Sequence, residues 1–211
     1  MWRRSRPTQH WVNVKSNVTN YKLAKQVDVI AKAIVQKTEV IISWKPLPEV
    51  WVRLNTNGSC KEGNRVWCGG LVRGSEGEWL GGFSKFAGSC SACIAELWEV
   101  LEGLRCVWKI GFGLVELHID SQVVTNMIKE DKMVSSTCWS IVCQIYRLLQ
   151  FDWEICIQHS YHEANRCYDK LANIRCDHGG TLIWYESCLI SLSSLYAADI
   201  VGVATSRFIA L

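Results

Sequence analysis

The chain has 211 residues, of which 49% are hydrophobic and 20% charged, a composition typical of one compact domain rather than two. No run of about 20 apolar residues is present and the basic first residues lead into no apolar segment, so we expect neither a membrane span nor a signal peptide. The eleven cysteines stand at no framework spacing, which disfavours a secreted disulfide protein and indicates a reducing compartment, cytoplasm or nucleus.

Positive charge is concentrated at the start of the chain. Residues 1–40 carry eight Lys or Arg against two acids, whereas the whole chain has a net charge of +3, so residues 41–211 are net negative. Apolar residues at helical spacing predict an amphipathic helix over residues 21–36. We therefore predict a basic arm over residues 1–43, suited to a nucleic-acid backbone. A solvated linker or the remnant of a preceding domain is the alternative.

Three strands are predicted next. Residues 51–56 alternate between two faces, and Asn57-Gly58-Ser59 is expected to end that strand. Residues 66–73 and 79–86 form the second and third strands around a turn at residues 74–77. The glycines at 69, 70, 81 and 82 fall within these strands, which indicates close backbone approach or a bulge.

The pattern then changes to helical spacing. One apolar stripe predicts a helix from residue 91 to about residue 111, with Glu96, Glu99 and Glu102 off that stripe. A strand over residues 114–120, helices over 121–129 and 137–149, a strand over 153–159 and a helix over 163–174 follow. The order β-β-β-α-β-α-α-β-α implies a mixed sheet with a parallel crossover.

This order, together with its acids, resembles the ribonuclease H-like superfamily, in particular the plant reverse-transcriptase-like domain of non-LTR retrotransposon polyproteins. The resemblance is carried by Leu54-Asn55-Thr56-Asn57-Gly58-Ser59, Ala95-Glu96-Leu97-Trp98, Ile119-Asp120-Ser121 and the run from His159 through Asn165 to Asp169. It implies an α/β ribonuclease H-like fold with a five-stranded mixed sheet, three strands antiparallel and two parallel, flanked by helices. The domain would span residues 44–176, and residues 177–211 would form a tail that packs on it.

The resemblance also implies a site of four carboxylates that hold two Mg²⁺ ions on the scissile phosphate. Glu96, Asp120 and Asp169 match the second, third and fourth acids, and His159 matches the histidine that assists turnover. The first acid falls on Asn57, whose amide oxygen ligates weakly and supplies no charge. Cation binding is therefore expected to be weakened, with Mn²⁺ as a substitute.

The resemblance further implies an RNA–DNA hybrid as partner. Contacts to nucleic acid would come from residues beside the acids, namely Gly58, Ser59, Ser121, Asn165 and Arg166. The chain is expected to be a monomer, without a membrane partner. A reverse-transcriptase domain would have preceded it in the ancestral polyprotein.

Each matched residue also has a plain structural reading. Glu96 could be a solvated residue of its helix, and Asp120 could cap the helix that follows it. Asp169 could pair with Arg166 on the helix surface, and His159 at a strand end could be structural.

Three classes of function remain open from the sequence. One is a hybrid-cleaving endoribonuclease impaired at Asn57: if the loss is about 4 kcal/mol, the rate falls on the order of 10³-fold. The second is a catalytically silent nucleic-acid-binding module, and the third is a decayed retrotransposon fragment with neither activity.

Overall fold

A computed structural model describes residues 37–42, 45–61, 65–130, 136–160, 166–174, 180–201 and 205–210. The elements in chain order are β1 (Lys37–Ile42), β2 (Val52–Lys61), β3 (Arg65–Arg73), β4 (Trp79–Ser89), α1 (Ala92–Lys109), β5 (Leu114–Ile119), α2 (Gln122–Glu130), α3 (Ser136–Leu149), β6 (Glu154–His159), α4 (Arg166–Ala172), β7 (Ile183–Tyr185), a 3-10 turn (Ile190–Leu192), α5 (Ser193–Ile200) and β8 (Thr205–Ala210).

The chain divides into two compact units. The larger unit comprises Ile41–Thr205, and the smaller one comprises Met1–Val40 and Ser206–Leu211. Strands β1 and β8 pair with each other in a sheet of their own. The helix predicted over residues 21–36 lies outside the described residues, and the predicted limits at residues 43 and 176 stay predictions.

The larger unit contains a six-stranded mixed sheet with the strand order β6-β5-β2-β3-β4-β7. Strands β2, β3 and β4 form an antiparallel meander, while β5 pairs parallel to β2 and β6 parallel to β5. The predicted α/β class and the mixed sheet are confirmed. The predicted number of five strands is wrong, because the three residues of β7 pair antiparallel with Gly82, Phe83 and Ser84 of β4.

Strand β2 is longer than the sequence predicts. Asn57-Gly58-Ser59 was expected to end it, but pairing with β3 continues from Asn57 opposite Gly69 to Lys61 opposite Arg65. Backbone hydrogen bonding to a neighbouring strand outweighs the local turn signal of Asn-Gly. Asn57 is therefore held within a strand rather than in a turn.

Two hydrophobic clusters cover the two faces of the sheet. Leu71 and Val72 are adjacent in β3 and belong to different clusters, so the clusters lie on opposite faces. Helix α1 covers the face that carries Val72 and Leu54, and α3 packs against α1 in the same hydrophobic cluster. Helix α4 covers the other face, where Leu71 meets Leu171.

Neighbouring atoms leave no room for a side chain at two of the strand glycines, and at Gly69 the neighbour is another backbone, as predicted. A Cβ on Gly69 would collide with the backbone of Ala172 in α4, and a Cβ on Gly81 would collide with the indole of Trp184 in β7. Helix α4 therefore lies directly on β3. The register of β3 against β4 shifts at Val66/Trp67 and at Val72/Arg73.

Helix α1 buries two acids that the periodicity places off its apolar stripe. Glu99 is 1% exposed and Glu102 is 6% exposed. Lys85 and Arg105 each donate to Glu102 Oε1 at 2.9 Å, which offsets the cost of burying that carboxylate. In the part of the chain that the structure covers, no helix has the length and apolar character needed to cross a membrane.

Candidate functional site

The centre of the candidate site lies where the parallel pairing of β2 with β5 ends. Strands β2 and β5 are in register up to Thr56 opposite Ile119, and the next residues are Asn57 and Asp120. Asn57 is 3% exposed. Asn57 lies three residues after Leu54, so the two residues belong to opposite faces of the sheet. Asn57 also pairs with Gly69, which lies against α4, and it therefore belongs to the sheet face that α4 covers. The sheet thus places the amide position and the third predicted acid next to each other.

Glu96 joins this strand edge from the first turns of α1. Burial raises the pKa of its carboxyl, a hydrogen bond with the Ser121 side chain lowers it, and the nearby Asp120 carboxylate raises it again. The net effect is a pKa above the ordinary value. Glu96 is therefore half-buried beside Asp120 and Ser121, and it is not a solvated residue of a polar helix face.

Ser121 connects the strand end to the following helix. Its hydroxyl oxygen accepts a bond from the Val124 amide at 3.4 Å, and its carbonyl accepts a bond from the Thr125 hydroxyl at 2.8 Å. These bonds satisfy groups at the start of α2. Ser121 therefore caps the start of α2, which is the structural role that the sequence alone allows for Asp120.

His159 ends strand β6 and lies beside Asp120. Its Nε2 is 3.2 Å from the Asp120 carbonyl oxygen, and the Ser160 amide donates to the Ile119 carbonyl at 2.9 Å. When Nε2 carries the proton, it donates to that carbonyl and leaves Nδ1 as the accepting nitrogen. The pairing of β5 with β6 therefore brings the predicted histidine to the predicted acid.

The fourth predicted acid is placed by its backbone alone. Asp169 lies in α4, the helix whose Ala172 contacts Gly69 opposite Asn57. Its side chain and that of Arg166 lie outside the described residues, as does Asn165. The backbone of Gly58 and Ser59 continues β2, without described side chains. The roles predicted for all of these residues stay predictions.

A carboxyl that the sequence did not assign to the site lies close to it. Glu99 follows Glu96 by one helical turn in α1, and within the described structure its Oε1 is buried without a hydrogen-bond partner. The i, i+3 spacing from Glu96 is the signal that could have found it.

The donor chemistry of the site fits a hard cation. Carboxylate and amide oxygens are the ligands that Mg²⁺ prefers, and an orphaned buried carboxyl oxygen beside two acids is the kind of group that a cation satisfies. Among the described residues, no three His, Cys, Asp or Glu side chains are grouped closely enough to share one metal ion. The Asp169 side chain lies outside those residues.

The fold is that of a ribonuclease H-like domain. Its fold is similar to ribonuclease H1 of the halophilic archaeon Halobacterium salinarum, with a TM-score of 0.54 and 23% identity over 58% of this chain and 95% of that one. The N-terminal ribonuclease H domain of a Mycobacterium tuberculosis protein gives a TM-score of 0.55 and 21% identity over 59% of this chain and 92% of that one. LC11 ribonuclease H1, solved in complex with an RNA/DNA hybrid, gives a TM-score of 0.53 and 20% identity over 58% of this chain and 94% of that one.

The chain belongs to the reverse transcriptase-like family, whose model matches residues 55–175. It is 35% identical over 177 residues to the curated "Putative ribonuclease H protein" of Arabidopsis thaliana. That alignment covers 83% of this chain and 28% of the relative, so the chain corresponds to just over a quarter of the length of the curated protein.

Proposed function

We propose that this domain binds RNA–DNA hybrids and cleaves the RNA strand by metal-assisted hydrolysis, at a rate limited by Asn57. The observation that carries the proposal is the convergence of Glu96, Asp120 and His159 at one edge of the sheet. Family membership and the relative named as a ribonuclease H protein support it. A fold similar to that of a protein solved with an RNA/DNA hybrid also supports it.

Four parts of the fold would contribute residues to the cation site. Glu96, Asp120 and Asp169 would hold two Mg²⁺ ions, with Mn²⁺ as a substitute, and the amide oxygen of Asn57 would be a weaker neutral ligand. When bound, the ions would activate water and stabilise the leaving oxygen of the phosphodiester.

The remaining steps are performed by side chains of this chain. Burial raises the pKa of the Glu96 carboxyl above its ordinary value, so a proton competes with the cation at that residue up to a higher pH than at an unperturbed glutamate. His159, with Nε2 directed to the Asp120 carbonyl, would accept and return a proton at Nδ1. Hybrid recognition would rest on phosphate and 2′-hydroxyl contacts.

Asn57 favours a second candidate, a nucleic-acid-binding module without cleavage. An amide at that position retains the shape of the site and removes one of its charges. Both candidate functions predict binding of the hybrid, and only the first predicts its cleavage. A decayed fragment of a polyprotein would neither bind nor cleave the hybrid.

The test compares the natural full chain with Asp120→Asn, using a labelled hybrid and a DNA duplex of the same sequence. We expect the natural chain to prefer the hybrid in fluorescence anisotropy and to cleave its RNA slowly in Mn²⁺. Asp120→Asn should retain the binding and lose the cleavage. The exposed Asp152, in the turn before β6, provides the matched control Asp152→Asn, which should leave both unchanged. Equal binding of hybrid and duplex, without cleavage, would contradict the proposal.

A further inference from the structure

An arginine at the start of β3 is stacked on two aromatic rings. The Cζ atom of Arg65 lies 5.1 Å from the ring centroid of Trp67 and 5.2 Å from that of Phe86. The centroids of the two rings are themselves 5.1 Å apart, at an interplanar angle of 46°. Arg65 is exposed, whereas Trp67 is buried and Phe86 is partly buried. The arginine is therefore the member of this group, the Arg65 stack, that solvent reaches most.

A β-bulge builds the Arg65 stack. The register of β3 against β4 shifts between Val66 and Trp67, and Trp67 is thereby placed opposite Phe86. Gly88, the partner of Val66, has a φ of +89°, a left-handed conformation that glycine adopts freely. Neither ring belongs to the two hydrophobic clusters of the sheet. The bulge therefore aligns a separate cross-strand pair of rings beneath Arg65.

The Arg65 stack lies on the same face of the sheet as Asn57. The Cys68 thiol faces α1, where it donates to a helix carbonyl at 3.8 Å, so its neighbours Trp67 and Gly69 face the side of α4. Asn57 pairs with Gly69, and Arg65 lies four residues from Gly69 along β3. At about 3.4 Å per residue, that separation is about 14 Å. A nucleic-acid strand that follows this face would cover it in about four nucleotides, at about 3.4 Å of helix axis each.

Arg65 differs from the other arginines of β2 and β3 in its partners. Arg53 is paired with Glu116 at 2.8 Å, and Arg73 is paired with Asp199 at 2.7 Å. Within the described residues, Arg65 forms no ion pair with a carboxylate and is stacked on aromatic rings instead. Stacking occupies the faces of a guanidinium and leaves the N–H groups at its edge available, and phosphate oxygens match that edge with two parallel hydrogen bonds. Arg65 is therefore suited to bind a phosphate.

We propose that Arg65 binds a backbone phosphate of the nucleic acid held at the candidate site, about four nucleotides from the position of Asn57. Trp67 and Phe86 hold the guanidinium in place for this contact. Such a contact fixes the register of the nucleic acid and carries no sequence information. The inference rests on the nucleic-acid binding of the proposed function.

The test measures binding of a labelled RNA–DNA hybrid and of a DNA duplex to the full chain by fluorescence anisotropy, in EDTA to prevent cleavage. Across about 50 to 200 mM salt, Arg65→Gln should reduce the slope of log K against log salt by about 1 for both ligands. At the lowest salt, it should weaken binding about tenfold, as expected for a lost charge-assisted contact.

Two variants separate the charge of Arg65 from its stacking. Arg65→Lys retains the charge without the planar fork, and Phe86→Leu removes one ring and retains the arginine. Each should keep the salt slope of the natural chain and weaken binding by about threefold, because the contact is held less precisely. The matched control is Arg147→Gln at an exposed arginine of α3, the helix that packs on α1, and it should leave affinity within about twofold.

Unchanged affinity and salt slope in Arg65→Gln would overturn the inference, and so would an equal loss in Arg147→Gln. Thermal unfolding checks each variant: a loss of stability without a change in salt slope would make the stack structural only. If Arg65→Gln does not fold, unchanged affinity in both Arg65→Lys and Phe86→Leu overturns the inference.

The same data separate the inference from the proposed function. Equal binding of hybrid and duplex by the natural chain, without cleavage in Mn²⁺, would refute the proposed function. A weaker binding of both ligands by Arg65→Gln would then still support the phosphate contact. Binding of neither ligand by the natural chain would refute both. A preference for the hybrid that Arg65→Gln leaves unchanged, with the same salt slope, would refute the inference alone.

Discussion

The Nε2 atom of His159 lies 3.2 Å from the carbonyl oxygen of Asp120. This contact joins the ends of two parallel strands, β5 and β6, at the point where the third predicted acid leaves the sheet. The side chain of one predicted site residue is thus oriented by the backbone of another. A base whose ring is fixed in this way can accept a proton at a defined nitrogen, Nδ1.

His159→Ala is expected to slow hybrid cleavage by about 10²-fold, since a positioned general acid or base contributes 10²–10⁴-fold. Hybrid binding should remain within about twofold, because the imidazole is assigned to proton transfer rather than to phosphate contact. Single-turnover cleavage and anisotropy on the same preparations separate the two effects. A parallel loss of binding, cleavage and thermal stability would instead assign His159 a structural role.

The Arg53–Glu116 pair is expected to make stability depend on pH. Burial raises the pKa of the Glu116 carboxyl, but the His118 imidazole, whose Nε2 lies 3.2 Å from Glu116 Oε1, and two hydrogen bonds from Arg53 lower it more, to about 2. Because this value lies below the ordinary 4.5, the pair stabilises the fold above pH 4.5 and loses that contribution as the pH falls towards 2. Glu116→Gln should lower the free energy of unfolding at pH 7 by about 1–3 kcal/mol.

The measurement is thermal unfolding of the natural chain, Glu116→Gln and the exposed-site control Glu154→Gln between pH 2 and 7. Between pH 4.5 and 2, the natural chain and the control should lose stability more steeply than Glu116→Gln. The same slope in all three proteins would contradict the account of this pair.

Helix α5 is expected to be held to the sheet by a partly buried ion pair. Arg73 donates to Asp199 Oδ2 at 2.7 Å and lies 5.3 Å from the ring of Tyr196, and the Cys167 thiol donates to the same carboxylate oxygen at 3.2 Å. Asp199→Asn should lower the free energy of unfolding by about 1–3 kcal/mol, because the Arg73 side chain is only 3% exposed. Chemical denaturation measures this effect against Glu186→Gln, an exposed acid after β7. Equal stability of the two variants would show that the ion pair does not hold the helix.

The contact of Gly69 with Ala172 is expected to control the position of α4. A methyl group at Gly69 would meet the backbone of the helix, and backbone cannot move aside as a flexible side chain does. Gly69→Ala should therefore cost about 1–3 kcal/mol of stability. It should also weaken Mn²⁺ binding, since α4 carries Asp169. Gly113→Ala, at a position with open space around its Cβ, is the control and should change neither quantity. A stable Gly69→Ala protein with unaltered Mn²⁺ affinity would contradict the account.

Most of the fold follows from local patterns in the sequence. The alternation of residues 51–56 predicts strand β2, and the apolar stripe of α1 predicts the helix that covers one face of the sheet. Strand β3 is buried on both faces, from Val66 to Arg73. The strand β7 was missed because three residues carry no period, and its existence depends on pairing with β4. The extension of β2 past Asn57 also depends on pairing with a distant strand, which no local turn signal reports.

Only part of the candidate site can be predicted from the sequence. Acids at the end of β5 and near the start of α1 could be placed together from topology, and the structure brings Glu96 and Asp120 within electrostatic contact. The burial of Glu99 could not be predicted, because periodicity reports the polarity of a position and not what covers it. The burial of Glu102 could not be predicted either, because its partner Lys85 lies in β4 and reaches Glu102 only when the meander is folded.

The most direct test of the account is the cleavage of a labelled RNA–DNA hybrid by the natural chain and by Asn57→Asp, in Mg²⁺ and in Mn²⁺. The account predicts that the aspartate variant is faster by on the order of 10³-fold in Mg²⁺, with unchanged affinity for the hybrid. The difference in cleavage rate between the two proteins should be smaller in Mn²⁺ than in Mg²⁺. Equal rates in the two proteins would contradict the account, because Asn57 would then not stand at a metal-binding position.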